Sequence, residues 1–170
     1  MVRSRAVVVA ILAAASLGGW WLGRADRGSS VDGVIEDGTV AVVVDAVDGD
    51  TLHVRIGART DVVRLLGIDT PETHHPRKPV QCFGPEAAAY TQDRLAGRRV
   101  LLEPDVEERD KYGRMLAYVV VDGGRFNDEL LELGYARLLV IPPNGAHART
   151  MLAEELAARR AGAGLWGECG

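Results

Sequence analysis

The sequence predicts an α+β domain: a small five-stranded antiparallel β-barrel flanked by three helices, after an N-terminal hydrophobic helix. Three observations point there. Between residues 39 and 68, runs rich in Val alternate with polar residues in the period of a half-buried strand. Short turns bearing Gly or Pro separate these runs, as in an antiparallel meander. One helical stretch follows the third strand, and two more follow the fifth. The 170 residues suffice for one domain with a real core.

Residues 1–27 read as a signal peptide or an N-terminal membrane anchor. Arg3 and Arg5 precede a stretch, residues 6–23, that carries no charge and ends near Trp20 and Trp21. Such a run is just long enough to span a bilayer, and basic residues before it favour a cytoplasmic N-terminus. Ala13, Ala14 and Ala15 resemble a small-residue cleavage site. Residues 28–37 are small and polar, a linker, and the domain proper is 38–170. The expectation is an extracytoplasmic domain, secreted or anchored to the cell membrane.

The elements follow in order. Residues 39–47 form the first strand, and Asp48 and Gly49 make a turn. Residues 51–56 alternate Leu52, Val54 and Ile56 with Thr51, His53 and Arg55. A third strand, 61–68, ends at Asp69, Thr70 and Pro71, and residues 72–83 are a loop. A helix starts near Gly84, with Pro85 in its first turn, and stops at Gly97. Residues 98–104 and 113–121 are strands four and five, with a charged loop, 105–112, between them. Asn127 is expected to cap a short helix ending at Gly134. Residues 135–141 are extended, and Pro142 and Pro143 force a break. The last helix, 147–161, is expected to bury Met151, Leu152 and Leu156 on one face. Five strands with a helix after the third suit a barrel of the OB type.

Charge narrows the function. The net charge is −4, and losing the N-terminal segment would remove Arg3, Arg5, Arg24 and Arg27 with only Asp26. A broad basic footprint for nucleic acid is therefore excluded, and attraction for phosphate must come from local arginines or a bound cation. The two cysteines, Cys82 and Cys169, match no zinc spacing. In an exported domain they are expected to be bonded, with a long-loop entropy term of about 4–5 kcal/mol.

Four short stretches carry the residues of one metal-assisted phosphodiester cleavage. Asp50 follows a turn glycine, and Asp69 ends the third strand. Pairing of the second and third strands would bring these carboxylates together, where they and the Thr70 carbonyl suit a hard cation such as calcium. Glu72, three residues after Asp69, would accept a proton from water or orient it. Asp48 would steady Asp50 from behind. Arg64 and Arg114 offer planar forks that match phosphate oxygens. Each acid alone reads more simply as an Asx turn, and each arginine alone as a surface ion pair. Their joint occurrence favours chemistry.

These motifs resemble the staphylococcal nuclease (thermonuclease) family. Asp-Gly-Asp-Thr at 48–51, Arg-Leu-Leu at 64–66, Asp-Thr-Pro-Glu-Thr at 69–73, Gly-Pro-Glu-Ala at 84–87 and Asp-Lys-Tyr-Gly-Arg at 110–114 match its pattern. The resemblance covers roughly residues 39–166. It implies an SNase-like OB-fold barrel and a calcium-dependent, sugar-nonspecific endonuclease that cleaves DNA and RNA to 3′-phosphate products. Metal would be held by Asp50, Asp69 and Thr70. Glu72 would be the general base, Arg64 and Arg114 the phosphate clamps, and Lys111 and Tyr112 neighbours of a terminal phosphate of the substrate. The expected partners are DNA and RNA, and a membrane for the N-terminal segment, with the chain a monomer. One departure is clear: where the family's best-known member has two nucleotide-stacking tyrosines, this chain reads Leu139, Val140 and Ile141. His74 and His75 are read as loop residues, and Arg77 and Lys78 as possible backbone contacts. The competing reading is a non-catalytic OB module that binds nucleic acid in the cell envelope.

Overall fold

The computed structural model describes residues 38–73 and 79–169 of the chain. The expected leader and linker, and His74, His75, Arg77 and Lys78, lie outside the described residues. Among the described residues no helix is long and apolar enough to cross a membrane.

Five strands make the barrel: β1 (Thr39–Ala46), β2 (Thr51–Ile56), β3 (Arg59–Leu65), β5 (Arg99–Glu103) and β6 (Met115–Val121). The order is β3-β2-β1-β5-β6, and β3 pairs with β6 to close it. All neighbours are antiparallel except that closing pair, which is parallel, with Arg64 opposite Leu116. A parallel pair needs a long crossover, and the chain between residues 65 and 115 supplies one. Closure leaves neither β3 nor β6 as an open edge.

The alternation predicted for β2 holds from Leu52 to Arg55, with Leu52 and Val54 fully buried and His53 and Arg55 facing out, but Thr51, expected on the outer side, is buried. Val63, Leu65, Leu102, Ala117 and Val119 complete the barrel interior. Two short strands, β4 (Ile68–Asp69) and β8 (Arg137–Leu138), pair beside it and set Asp69 opposite Arg137. β7 (Gly124–Arg125) extends the main sheet as a hairpin.

Helix α1 (Gly84–Leu95) begins with Pro85 and ends before Gly97, whose φ of +75° suits a glycine terminator. Its buried face is Gly84, Ala87, Thr91 and Leu95. Helix α2 (Phe126–Glu132) does not start with an Asn127 cap. Asn127 is fully buried, accepting the Val119 N–H at 2.8 Å and donating to the Leu66 carbonyl at 2.8 Å. One group lies within β6 and the other just past the end of β3, and a buried amide satisfies both where water cannot reach. Helix α3 (Ala148–Ala161) also departs from expectation. Met151, Glu155 and Ala158 are buried, while Leu152 and Leu156 are exposed. Those three share the inward stripe at spacings of four and three, whereas 152 and 156 sit a step round the helix. Glu155 is tolerated inside because it accepts the Leu138 N–H and pairs with Arg159. A short α4 (Leu165–Glu168) precedes Cys169, which is bonded to Cys82 as the sequence predicts.

Candidate active site

The site grows from the crossing of three chain segments. β2 and β3 pair with Thr51 opposite Arg64, so the turn before β2 lies against the end of β3. The Leu65 N–H donates to the Asp50 carbonyl at 2.9 Å, which extends this pairing by one step. The chain then turns through Gly67 into β4 and brings Asp69 and Thr70 back to Asp50.

Asp50 is buried and well held. One carboxylate oxygen accepts the Thr70 N–H at 2.8 Å, and the other accepts the Thr51 hydroxyl at 3.1 Å. Its own N–H donates to Asp48 at 3.1 Å, as the steadying role expected of Asp48 requires. Burial, and then repulsion from the Asp50 charge, push the Asp48 carboxyl up to about 6. Gly49 lets this turn approach: a Cβ there would lie 2.6 Å from Thr70 Cγ2. The fully buried Thr91 of α1 donates its hydroxyl to the Gly49 carbonyl at 2.9 Å and fixes the turn from below.

Arg64 is the hub. One terminal nitrogen lies 3.1 Å from Asp50 Oδ2 and 2.9 Å from Asp69 Oδ1. The other donates to the Leu65 and Ile68 carbonyls, both at 2.9 Å. The side chain is only 15% exposed, so its charge is spent inside the site rather than on solvent. Two carboxylates thus converge on one positive nitrogen. Among the described residues no group of three or more His, Cys, Asp or Glu side chains gathers as a metal centre. Two carboxylates are a pair of donors that hard, oxygen-preferring cations accept and softer metals do not favour.

The second arginine stands across a cavity. Arg64, Lys111, Tyr112, Arg114, Leu139 and Ile141 are among the residues lining a space of about 460 Å³. Arg114 is anchored by Asp110, whose carboxylate lies 2.7 Å from Arg114 Nε and also accepts the N–H groups of Tyr112 and Arg114. Burial works against the Asp110 charge, but these bonds outweigh it and hold the carboxyl below its ordinary value. Lys111 and Arg114 both stand over the exposed Tyr112 ring, at 5.0 and 5.5 Å from its centroid. Exposed Leu139 and Ile141 occupy the opposite lip.

Glu72 is half-buried on the segment leaving β4. Its backbone is bracketed by Gln81: the Glu72 N–H donates to Gln81 Oε1 and the Gln81 N–H donates to the Glu72 carbonyl, each at 2.9 Å. The structure therefore joins Asp50, Arg64, Asp69 and Thr70 by direct contacts. It joins Arg64 with Lys111, Tyr112 and Arg114 through the cavity, and it sets Glu72 two residues beyond Thr70.

Several supporting residues escaped the reading of the sequence. Thr91 and Gln81 are two. Asn144 is a third, donating to the Glu107 carbonyl and accepting its N–H, which pins the loop that carries Lys111 and Tyr112. Asp105 is a fourth, accepting the N–H groups of Gly145 and Ala146. Thr91 was discoverable as the one polar residue on the apolar stripe of α1. Gln81 bonds a residue nine positions back, and Asn144 and Asp105 form contacts about 40 residues apart, so none leaves a local pattern.

Comparison with known proteins identifies the family. The family model described as "Staphylococcal nuclease homologue" matches residues 62–168. A thermonuclease of Staphylococcus intermedius is 46% identical over 98 residues, 58% of each chain. A thermonuclease of Staphylococcus hyicus is 36% identical over 124 residues, 73% of each chain. The endonuclease YncB of Bacillus subtilis (strain 168) is 38% identical over 127 residues, 74% of this chain and 60% of that one. The chain therefore spans 58% to 73% of the length of these relatives. With more than half of its length matched by the family model, the protein belongs to the staphylococcal nuclease homologue family.

Proposed function

We propose that the domain is a calcium-dependent, sugar-nonspecific endonuclease that hydrolyses phosphodiester bonds of DNA and RNA. The observation that carries this reading is the convergence of Asp50 and Asp69 on the Arg64 guanidinium, beside a cavity that a second arginine lines. The printed names of the relatives, thermonuclease and endonuclease, support it.

Asp50, Asp69 and the Thr70 carbonyl would hold the cation. When bound, it supplies positive charge at a phosphoryl oxygen and acidifies water. Arg64 and Arg114 reach the cavity from two sides and clamp the scissile phosphate, countering the charge that builds on its oxygens. Glu72 takes a proton from the attacking water. The water oxygen joins phosphorus as the bond to the 5′-oxygen breaks. That oxygen takes a proton from solvent and leaves as a 5′-hydroxyl, Glu72 returns its proton to solvent, and the upstream fragment keeps a 3′-phosphate. By the family resemblance, Lys111 and Tyr112 meet a terminal phosphate of the substrate. Leu139 and Ile141 offer apolar contact in place of ring stacking, which is worth about 1–3 kcal/mol per base where aromatics supply it.

We also place the enzyme outside the cytoplasmic membrane, secreted or tethered by its N-terminal segment, and acting as a monomer. The charge-flanked apolar run and the cysteine pair support this placement. The test is to incubate the full chain with calcium and either single-stranded DNA or RNA, then to determine the product ends. Cleavage of both polymers to 3′-phosphate ends is expected. Binding without cleavage would instead favour a non-catalytic nucleic-acid module.

A further inference from the structure

Glu72 sits on neither a strand nor a helix, yet a general base must be held to within a fraction of an ångström. Gln81 supplies two bonds to its backbone, one on the N–H and one on the carbonyl. The Gln81 carbonyl also accepts the Gly84 N–H at 3.1 Å, which ties it to the start of α1. The approach there is tight: a Cβ on Gly84 would lie 3.0 Å from the Pro71 carbonyl oxygen and 3.1 Å from that of Glu72. The residue after Gln81 is Cys82, bonded to Cys169 with the two Cα atoms 5.9 Å apart.

The other end of that bond is equally anchored. Cys169 follows α4, whose Leu165 N–H donates to the Gly134 carbonyl at 2.9 Å. Trp166 of α4 lies under Arg137 and Arg159, at 4.8 and 4.1 Å from ring centroid to guanidinium carbon. Arg137 is in turn the β8 partner of Asp69. The C-terminal tail thus grips the neighbourhoods of both Asp69 and Glu72.

We propose that Gln81 is a positioning residue for Glu72, and that the Cys82–Cys169 bond clamps Gln81 in place, so that turnover depends on the redox state of this one bond. This rests on the reading of Glu72 as the base. Cys82 is exposed, so a thiolate can attack it. A dithiol delivers two electrons and two protons, leaving Cys82 and Cys169 as thiols, and is itself oxidised to a cyclic disulfide. A reduced chain keeps the ion site and the arginine clamp but lets Glu72 wander. A disulfide acting only as a global staple would change unfolding and leave kcat alone.

The test compares kcat, KM and backbone amide exchange at Glu72 for the full chain, oxidised and after dithiothreitol. Reduction is expected to lower kcat about 10- to 100-fold, the scale of a small misplacement of a catalytic group, with KM within about 2-fold. Glu72 amide exchange should speed up, and reoxidation should restore both. Cys82→Ser with Cys169→Ser should match the reduced protein and ignore dithiothreitol. Gln81→Ala should show a comparable loss that reduction barely deepens. Gln81→Glu, which keeps an acceptor oxygen at the same reach, should recover most of the rate. Unchanged kcat in a protein showing two alkylatable thiols would overturn the proposal. If the oxidised protein cleaves nothing, the nuclease reading fails by itself. The amide then decides: faster exchange on reduction upholds the clamp, and unchanged exchange overturns it.

Discussion

Arg64 decides the electrostatics of the site residue by residue. It neutralises two carboxylates that would otherwise repel, and it is buried enough that its fork cannot be replaced by a point charge. Arg64→Lys should therefore lower kcat/KM by about 100-fold or more, since lysine cannot bond two carbonyls, two acids and a phosphate from one planar group. Steady-state kinetics with a short oligonucleotide would check this, and a loss of only a few-fold would mean that charge alone suffices. Glu72 differs, because the task proposed for it is confined to the proton. Glu72→Gln should cut kcat by about 10²- to 10⁴-fold while nucleotide affinity stays near the original. Equal turnover would remove Glu72 from the mechanism. Arg64 stood out in the sequence because a charge inside Val62-Val63-Arg64-Leu65-Leu66 must point to solvent or serve a site, and Glu72 because it follows Asp69 by three residues. Gln81 did not, since its role arises only from folding the 72–83 loop back on itself.

At the scale of elements, loops rather than strands set the cavity. The segment carrying Lys111 and Tyr112 is fastened to the 142–146 turn through Asn144 and Asp105. Burial disfavours the Asp105 charge, but the N–H groups of Ala146, Gly145 and Val106 more than offset it and hold the carboxyl below its ordinary value of 3.8. A depressed acid stabilises the fold above its unfolded pKa, and that contribution is lost as pH falls through the folded value. Asp105→Asn should thus cost about 1–2 kcal/mol at pH 7. The difference should shrink below pH 4, as thermal melts across pH 2–7 would show. A constant difference across that range would mean that the charge plays no part. The period-two strands were readable because one face meets the core and the other meets water. Asn127 and α3 were misread for different reasons. Asn127 donates to the Leu66 carbonyl, 61 residues away, and Leu152 and Leu156 are apolar residues that stay exposed.

At the scale of the whole molecule, closure by the β3–β6 pair brings Arg64 on one strand and Arg114 just before the other to a common cavity. Meander logic foresaw the first three strands but not this parallel seam, which is settled only when the chain returns from α1 and β5. On the proposed reading, the same closure lets an acidic chain hold a polyanion, with a cation and two guanidiniums acting at short range. The most direct measurement is DNA turnover by chelator-stripped protein as calcium is added back, run in parallel with Asp50→Asn. The expected result is no cleavage without the ion, a saturable rise with it, and a demand for far more calcium in the variant. Full cleavage in the presence of chelator, or identical calcium curves for the two proteins, would contradict it.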